Sequence, residues 1–332
     1  MSATIKHIEY FLPEKTLSNE ELQLEFPDRD ISKMEKKIGV FSRHIVLENE
    51  TALDLAESVC TKLFESYDKN KIDFIILCTQ SPDYYLPTSA CLLQERLELS
   101  NNIGAFDINQ GCSGFIYALT IAKGFIASGV ANNVLLVMAE TYSKHINPRD
   151  LGNRMIFGDG ASAVVVEKTE TQNIGNFVLG TNGAGSQNLI VPNGGMKCRF
   201  DSNAETIIGT RNEERTANDL YMNGSEIFYF VSRQIPGVVE QALAKNKMEL
   251  EEVDFFIFHQ ANEYMIKSLT KKLKIGQEKY YNNIGDIGNT VSSTIPIALK
   301  RCIDTNLVKK GDKIMLCGFG VGYSWGAVIV EL

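Results

Sequence analysis

Histidine is scarce in this chain, four residues in 332, and no two of its seven cysteines form a CxxC pair. Those shortages leave no cluster with metal-ligand spacing. An odd number of scattered thiols fits the reducing cytosol better than a disulfide framework. Basic charge is also in short supply: 33 Lys and Arg stand against 41 Asp and Glu, for a net charge of −8. A general nucleic-acid binder needs a positive field for phosphates, and this balance supplies none. Net charge is blind to local patches, so a small basic surface for an acidic partner stays open. Long apolar runs are missing too. The best, such as Val134–Ala139, are strand-sized and far short of a membrane span. The opening residues 1–15 carry charges throughout and are not built like a signal peptide, so a cytoplasmic protein is expected. What is present is material for a sizeable core, with 44% hydrophobic residues against 22% charged. A chain of this length makes two ordinary domains or one large α/β unit.

Short β-branched runs alternate with helical patterns, as in α/β proteins. The run from Asp73 to Cys78 reads as a buried strand, followed by a turn at Ser81-Pro82-Asp83 and a helix from about Thr88 to Leu97. Ile103–Ile108 reads as a second strand, leading through Asn109-Gln110-Gly111 into a long helix from Cys112 to Ser128. Val134–Ala139 and Ala161–Glu167 are further strands. The second half echoes the first in the same order. Asp254-Phe-Phe-Ile-Phe-His-Gln matches Asp73-Phe-Ile-Ile-Leu-Cys-Thr, and Lys313-Ile-Met-Leu-Cys matches Val134-Leu-Leu-Val-Met. The closing Gly326-Ala-Val-Ile-Val-Glu matches Gly160-Ala-Ser-Ala-Val-Val-Val-Glu. Two similar α/β halves are expected, residues 1–175 and 176–332. Residues 181–220 are polar, glycine-rich and too long for an ordinary connection, so they form a linker or a functional flap. Met196 and Phe200 offer apolar anchors, which favours the flap.

Cys112 is the first candidate for chemistry. It follows a strand and a Gly111 turn and opens a long helix, where unpaired backbone N–H groups and the helix dipole favour a thiolate. Free cysteines are commonly buried and inert, and that reading suits the other six, with Cys78, Cys302 and Cys317 inside apolar runs. His259 follows Phe255-Phe-Ile-Phe at a carboxyl strand end, where ligands gather in α/β sheets. A core histidine with a satisfied hydrogen bond is the plainer alternative. Asn289 lies on the glycine-rich turn Ile284-Gly-Asp-Ile-Gly-Asn-Thr290, ahead of a helix opened by Ser292-Ser293-Thr294. Its amide can project into a site, although turn and capping chemistry alone explains it. Gly318-Phe-Gly-Val-Gly322 is a further glycine-rich turn that could present backbone N–H groups to an oxyanion.

At these residues the sequence resembles the type III ketoacyl-acyl carrier protein synthases of the thiolase-like superfamily, over nearly the whole chain. The marks are Asp107-Ile-Asn-Gln-Gly-Cys112-Ser-Gly-Phe, Phe157-Gly-Asp-Gly-Ala161, His259-Gln-Ala-Asn262, Gly288-Asn289-Thr290 and Gly318-Phe-Gly-Val-Gly-Tyr-Ser-Trp325-Gly. The resemblance implies a duplicated, five-layered αβαβα fold and a homodimer. It implies that Cys112 accepts an acyl group from an acyl-CoA primer, and that malonyl-acyl carrier protein then enters and loses carbon dioxide. His259 and Asn289 would donate to its thioester oxygen, while the backbone N–H groups of Cys112 and Val321 would hold the second oxyanion. No metal or redox cofactor is implied; acyl-CoA and malonyl-acyl carrier protein are substrates, and neither nucleic acid nor membrane is a partner. Phe157, Met222, Gly224, Phe228, Asn262, Ile266 and Phe319 match positions lining a pantetheine channel, and Lys37 replaces a family arginine near the nucleotide. Leu86 falls where a neighbouring subunit closes the acyl pocket. Lys271 and Lys272 match part of a docking patch for the acidic carrier protein, or form an ordinary solvated helix face.

Some positions depart from the family. Lys33 stands in place of an adenine-stacking tryptophan, and Leu151 in place of a clamping arginine. Val321 interrupts a glycine run, and Tyr264 replaces a basic docking residue. These changes point to a primer other than acetyl-CoA. Competing readings on the same fold are a thiolase using Cys317, a hydroxymethylglutaryl-CoA synthase, and an acyltransferase that does not decarboxylate. A non-catalytic partner subunit is a further class, but such subunits typically lose the nucleophile.

Overall fold

The computed structural model describes residues 2–209, 213–282 and 284–332. Two sheets organise them. In the first, strands Ser2–Phe11, Gly160–Thr169, Asn133–Glu140, Phe74–Cys78 and Gly104–Ile108 lie side by side in that order. Its first two pairings are antiparallel and its last two parallel. In the second sheet, Val178–Thr181, Ser324–Glu331, Lys313–Gly320 and Phe255–Phe258 repeat two antiparallel pairings and then a parallel one. A parallel bridge from Phe256 to Tyr280 continues the series.

The segments that echo one another in sequence occupy equivalent places in the two sheets. Even the entry into the strands is repeated. The Asp73 carboxylate accepts the backbone N–H groups of Asn132 and Asn133 at 2.9 and 3.1 Å, and the Asp254 carboxylate accepts that of Lys313 at 2.8 Å. In both halves an acid just ahead of one strand pins the start of its parallel neighbour.

Side chains along a strand alternate between faces, and a sheet covered on both faces needs apolar residues on both. Ile76, Leu136 and Val164 of the first sheet and Ile257, Leu316 and Val328 of the second enclose the helices Gly114–Ser128 and Thr294–Asp304. Buried on most sides, the first of these helices is apolar nearly all round, with Phe115, Ile116, Leu119, Ala122 and Ile126 in the core. It ends at Gly129, whose φ of +79° is a left-handed conformation that glycine adopts without strain. On the outer faces, Ile75, Leu77 and Val165 pack under helices Ala52–Phe64 and Ser89–Arg96. Phe256, Met315 and Ile329 pack under Gly224–Asn246 and Glu263–Leu273. The result is the five-layered αβαβα arrangement. No helix among the described residues is long and apolar enough to cross a membrane.

The segment 181–220 contains short pairings rather than bare coil, and its residues 210–212 lie outside the described residues. Leu189–Ile190 pairs with Tyr221–Met222, and Ile207–Ile208 with Glu214–Arg215. The expected anchors are not anchors: Met196 and Phe200 are each 71% exposed. Leu189 and Leu220, beside the paired strands, are the buried residues that hold the segment.

Candidate active site

The strand Gly104–Ile108 ends at the sheet edge, and the following turn delivers Cys112 two residues ahead of the helix Gly114–Ser128. The helix thus begins later than the sequence suggests, with Cys112 in the turn. The residue is 5% exposed, so it lies in a confined position. Glycines make the confinement possible. A Cβ at Gly318 would lie 2.9 Å from the Cys112 carbonyl oxygen, and one at Gly320 would lie 2.7 Å from its Sγ. The backbone N–H groups of Cys112 and Val321 favour the charged form of the sulfur, against its burial.

An acidified thiol is not what the site contains at rest. Burial pushes the Cys112 thiol up to about 12, the Val321 and Cys112 N–H groups pull against it, and the Glu140 carboxyl adds to the rise. The cost of desolvating a thiolate exceeds what a helix terminus returns. Acylation therefore requires the sulfur to surrender a proton.

His259 directly follows Phe255–Phe258 and extends its ladder by donating its backbone N–H to the Cys317 carbonyl at 2.8 Å. Its Nδ1 lies 2.7 Å from Thr294 Oγ1, and its Nε2 lies 3.5 Å from Asn289 Nδ2. Burial lowers its pKa to about 3, which makes the ring neutral. Asn289 is fixed from three sides. Its N–H donates to the Ile156 carbonyl at 2.8 Å, its carbonyl accepts from Gly158 N–H at 3.1 Å, and its Oδ1 accepts from Val291 N–H at 2.9 Å. The last bond fixes the amide orientation, leaving Nδ2 to face His259. Gly288 before it has a φ of +77°, and a Cβ there would meet the Ile156 carbonyl oxygen at 2.9 Å, so the turn needs glycine. Phe319 stands edge-on to His259 with ring centres 5.7 Å apart, and its neighbour Gly320 touches Cys112. One strand end therefore gathers Cys112, His259 and Asn289, which come from three separate segments.

The surrounding residues divide into several groups. Phe157, buried, bridges to Asn289, and Phe319 borders His259, so both frame the centre. Met222 and Gly224 lie where the helix Gly224–Asn246 begins, with Phe228 one turn inside it. Phe228 stacks on Tyr264 at 5.3 Å, and Lys37 Nζ sits 5.4 Å from the Tyr264 ring centre, which joins two expected mouth residues through the side chain that replaces a basic docking residue. Asn262 caps the helix Glu263–Leu273 by accepting the Met265 N–H at 2.8 Å. Ile266 has no exposed surface. Leu86 is 80% exposed beside exposed Tyr84 and Tyr85. Lys271 and Lys272 lie exposed in the last turn of the helix Glu263–Leu273, with Lys272 Nζ donating to the Ser232 carbonyl at 2.7 Å. Lys33 is exposed, whereas Leu151 is a core residue packed with Leu17, Leu22, Ile31 and Met155. Leu151 therefore replaces no surface clamp. Cys317 is wholly buried in the outer core among residues such as Phe258 and Met315.

Two residues near the centre were not singled out in the sequence. Thr294 is the side chain that His259 Nδ1 meets. Glu140, wholly buried, accepts the Gln80 N–H and the Ser81 and Ser292 hydroxyls at 3.1–3.2 Å. Its one signal was a charge closing the apolar run Val134–Ala139.

Known proteins resemble this chain in sequence and in fold. The family described as 3-oxoacyl-[acyl-carrier-protein (ACP)] synthase III matches residues 106–183, and its C-terminal region matches residues 243–332. The beta-ketoacyl-[acyl-carrier-protein] synthase III of Clostridium perfringens is 36% identical over 325 residues, covering 97% of each chain. The chain belongs to the 3-oxoacyl-[acyl-carrier-protein] synthase III family. The Clostridioides difficile synthase III is 35% identical over 97% of this chain and 95% of its own. A crystal structure of a synthase III superposes with a TM-score of 0.98 at 42% identity, covering all of both chains. The Aquifex aeolicus synthase III follows at a TM-score of 0.87 and 33% identity, again over the whole of both. Family membership makes the chain an acyltransferase-type condensing enzyme on the thiolase-like fold.

Proposed function

We propose that this enzyme transfers an acyl group from an acyl-CoA, or from an acyl carrier, to Cys112 and condenses it with malonyl-acyl carrier protein, releasing carbon dioxide and a 3-oxoacyl-acyl carrier protein. The observation that carries the reading is the convergence of Cys112, His259 and Asn289 at the end of the strand Lys313–Gly320. Cys112 serves as nucleophile, splitting the reaction into an acylation and a condensation. The N–H groups of Cys112 and Val321 receive the oxyanion of the acyl transfer. His259 and Asn289 donate to the malonyl thioester oxygen as it becomes an enolate, each donor contributing about 3 kcal/mol on the scale of oxyanion holes.

Supporting features extend the proposal outward. The exposed Tyr84-Tyr85-Leu86 segment suits burial against a second subunit, so the enzyme works as a homodimer in the cytoplasm with Leu86 limiting primer length. Phe157, Met222, Gly224, Phe228, Asn262, Ile266, Phe319 and Lys37 belong to the wall and mouth of the pantetheine passage, and Lys271 and Lys272 to the carrier-docking face. With Lys33 in place of a stacking tryptophan, the primer is other than acetyl-CoA. The test is to incubate the enzyme with a panel of acyl thioesters in CoA and carrier forms, weigh the adduct on Cys112, and follow carbon dioxide release from malonyl-acyl carrier protein. No adduct and no carbon dioxide would overturn the function, and a clear preference for acetyl-CoA would overturn the primer.

A further inference from the structure

We propose that a single buried water molecule, held between Gln260 and Thr290, braces the two condensation donors against each other, which makes Gln260 and Thr290 positioning residues. The inference rests on the function proposed above. Gln260 directly follows His259, and Thr290 directly follows Asn289. Both are almost wholly buried, at 4% and 1% exposed. Gln260 Nε2 donates to the Phe258 and Tyr281 carbonyls at 2.8 and 3.3 Å, which commits the amide nitrogen and fixes which way the oxygen lies. Gln260 Oε1 and Thr290 Oγ1 then have no hydrogen-bond partner among the described residues. Buried polar atoms are rarely left so, because each keeps the cost of losing its hydration. The two side chains line one small cavity, walled otherwise mainly by apolar residues such as Ile284, Ile287 and Ile297, with room for about one water.

The chemistry of the cavity selects its occupant. An amide oxygen can only accept, so whatever meets Gln260 Oε1 must donate, which excludes an anion. Arg301 also lines the cavity, its guanidinium paired with the Asp286 carboxylate at 3.0 Å, and a second cation beside it would be repelled. A water fits: one proton goes to Gln260 Oε1, and the other proton or a lone pair meets the Thr290 hydroxyl, which can donate or accept. The brace matters because the two donors hang from different parts of the chain. His259 bonds through its backbone to Cys317 in the second sheet, and Asn289 to Ile156 and Gly158 of the N-terminal half. Thr294 Oγ1 holds His259 Nδ1, but the direct contact between the donors, Asn289 Nδ2 to His259 Nε2, is 3.5 Å, the limit of a hydrogen bond. An enolate oxygen accepts from both only while their separation is kept. The bridge from Gln260 to Thr290, one residue beyond each donor, sets that separation.

A crystal structure of the wild-type enzyme fine enough to place waters is expected to show one within hydrogen-bond distance of both Gln260 Oε1 and Thr290 Oγ1. Thr290→Val, nearly the same size but without the hydroxyl, should lose it. The valine variant should release carbon dioxide from malonyl-acyl carrier protein on the order of 10-fold more slowly, as fits a small displacement of the donors, while acyl transfer to Cys112 stays within a few-fold of wild type. Thr290→Ser, which keeps the hydroxyl, should retain both the water and the rate. Thr290→Ala, which removes the hydroxyl and adds no methyl group in its place, carries the test if the valine variant fails to fold. A dry cavity in wild type, a valine or alanine variant that keeps its rate of carbon dioxide release, or one that loses both steps equally overturns the brace. Absence of acyl transfer and carbon dioxide release in wild type, whatever the cavity holds, would instead overturn the function on which the inference rests.

Discussion

Consider Gly320→Ala, a single methyl group added beside the nucleophile. Gly320 closes the strand Lys313–Gly320 and its φ lies outside the left-handed region, so alanine brings no backbone strain. The added Cβ would lie 2.7 Å from both Cβ and Sγ of Cys112, whereas ordinary contact begins at 3.4 Å. Something must move by roughly 0.7 Å, and because Cys112 Cβ is met as closely as its sulfur, the whole nucleophilic side chain must shift. Overpacking of this kind costs about 1–3 kcal/mol of stability, a shift of a few degrees in melting temperature for a chain of this size. A reacting atom displaced by about 1 Å loses on the order of 10²-fold in rate. The assay is intact-protein mass over time with excess acyl-CoA, alongside thermal unfolding. The expected variant folds and acylates about 10²-fold more slowly. Acylation within threefold of wild type would show that this strand does not confine the sulfur. Gly318→Ala makes the contrast, because its Cβ would meet the Cys112 carbonyl oxygen and Ser113 Cα at 2.9 Å. Backbone cannot swing aside, so that variant loses stability first.

Other perturbations probe the neighbours. Burial raises the Glu140 carboxyl from its ordinary 4.5 to about 8, so its stabilising effect is full below about 4.5 and is lost as pH rises through 8. Unfolding free energy of wild type should therefore fall relative to Glu140→Gln between pH 5 and 8, by up to about 1.4 kcal/mol per pH unit, and parallel stability curves would refute the shift. Asn289→Ala should lower carbon dioxide release by on the order of 10²–10³-fold and acyl transfer much less; equal losses would mean that the amide does not act on the enolate. Cys317→Ser should leave turnover nearly unchanged, and abolished turnover would point to a thiolase. Leu86→Ala should widen the range of primer lengths accepted, read by adduct mass, if this loop closes the acyl pocket.

Much of the fold was legible because fully covered strands must be apolar on both faces, which leaves runs such as Phe74–Cys78 and Phe255–Phe258 easy to see. Their shared leading aspartates, Asp73 and Asp254, marked the repeat, and the structure gives both the same task. Places at strand ends and glycine turns made Cys112, His259 and Asn289 candidates only, and it was the family resemblance that set them above the plainer readings. The state of the sulfur was not, because desolvation depends on what the whole molecule packs around it and no local motif records that. Thr294 was hidden for a similar reason: it meets His259 across 35 positions of sequence. Met196 and Phe200 misled because hydrophobicity names candidates for burial without saying what will cover them. Leu151 misled because the chain passes from an exposed turn at Arg149 into a buried helix start at Leu151 within two positions.

The matched order of the two sheets means that every part of the reactive centre has a twin. Cys78 holds the place in its half that His259 holds in the other, and Ser292 precedes its helix by two residues as Cys112 does. Glu140 ends its strand as Gly320 ends the corresponding one. In the twin, Cys78 donates to the Gln110 carbonyl at 3.0 Å and Ser292 donates to Glu140 at 3.2 Å, so a carboxyl group occupies the room that Gly320 leaves for sulfur. The two halves thus hold cradles of like shape, one left hollow beside a thiol and the other plugged by a carboxyl group. On the proposed chemistry, a single chain then charges one acyl group at a time.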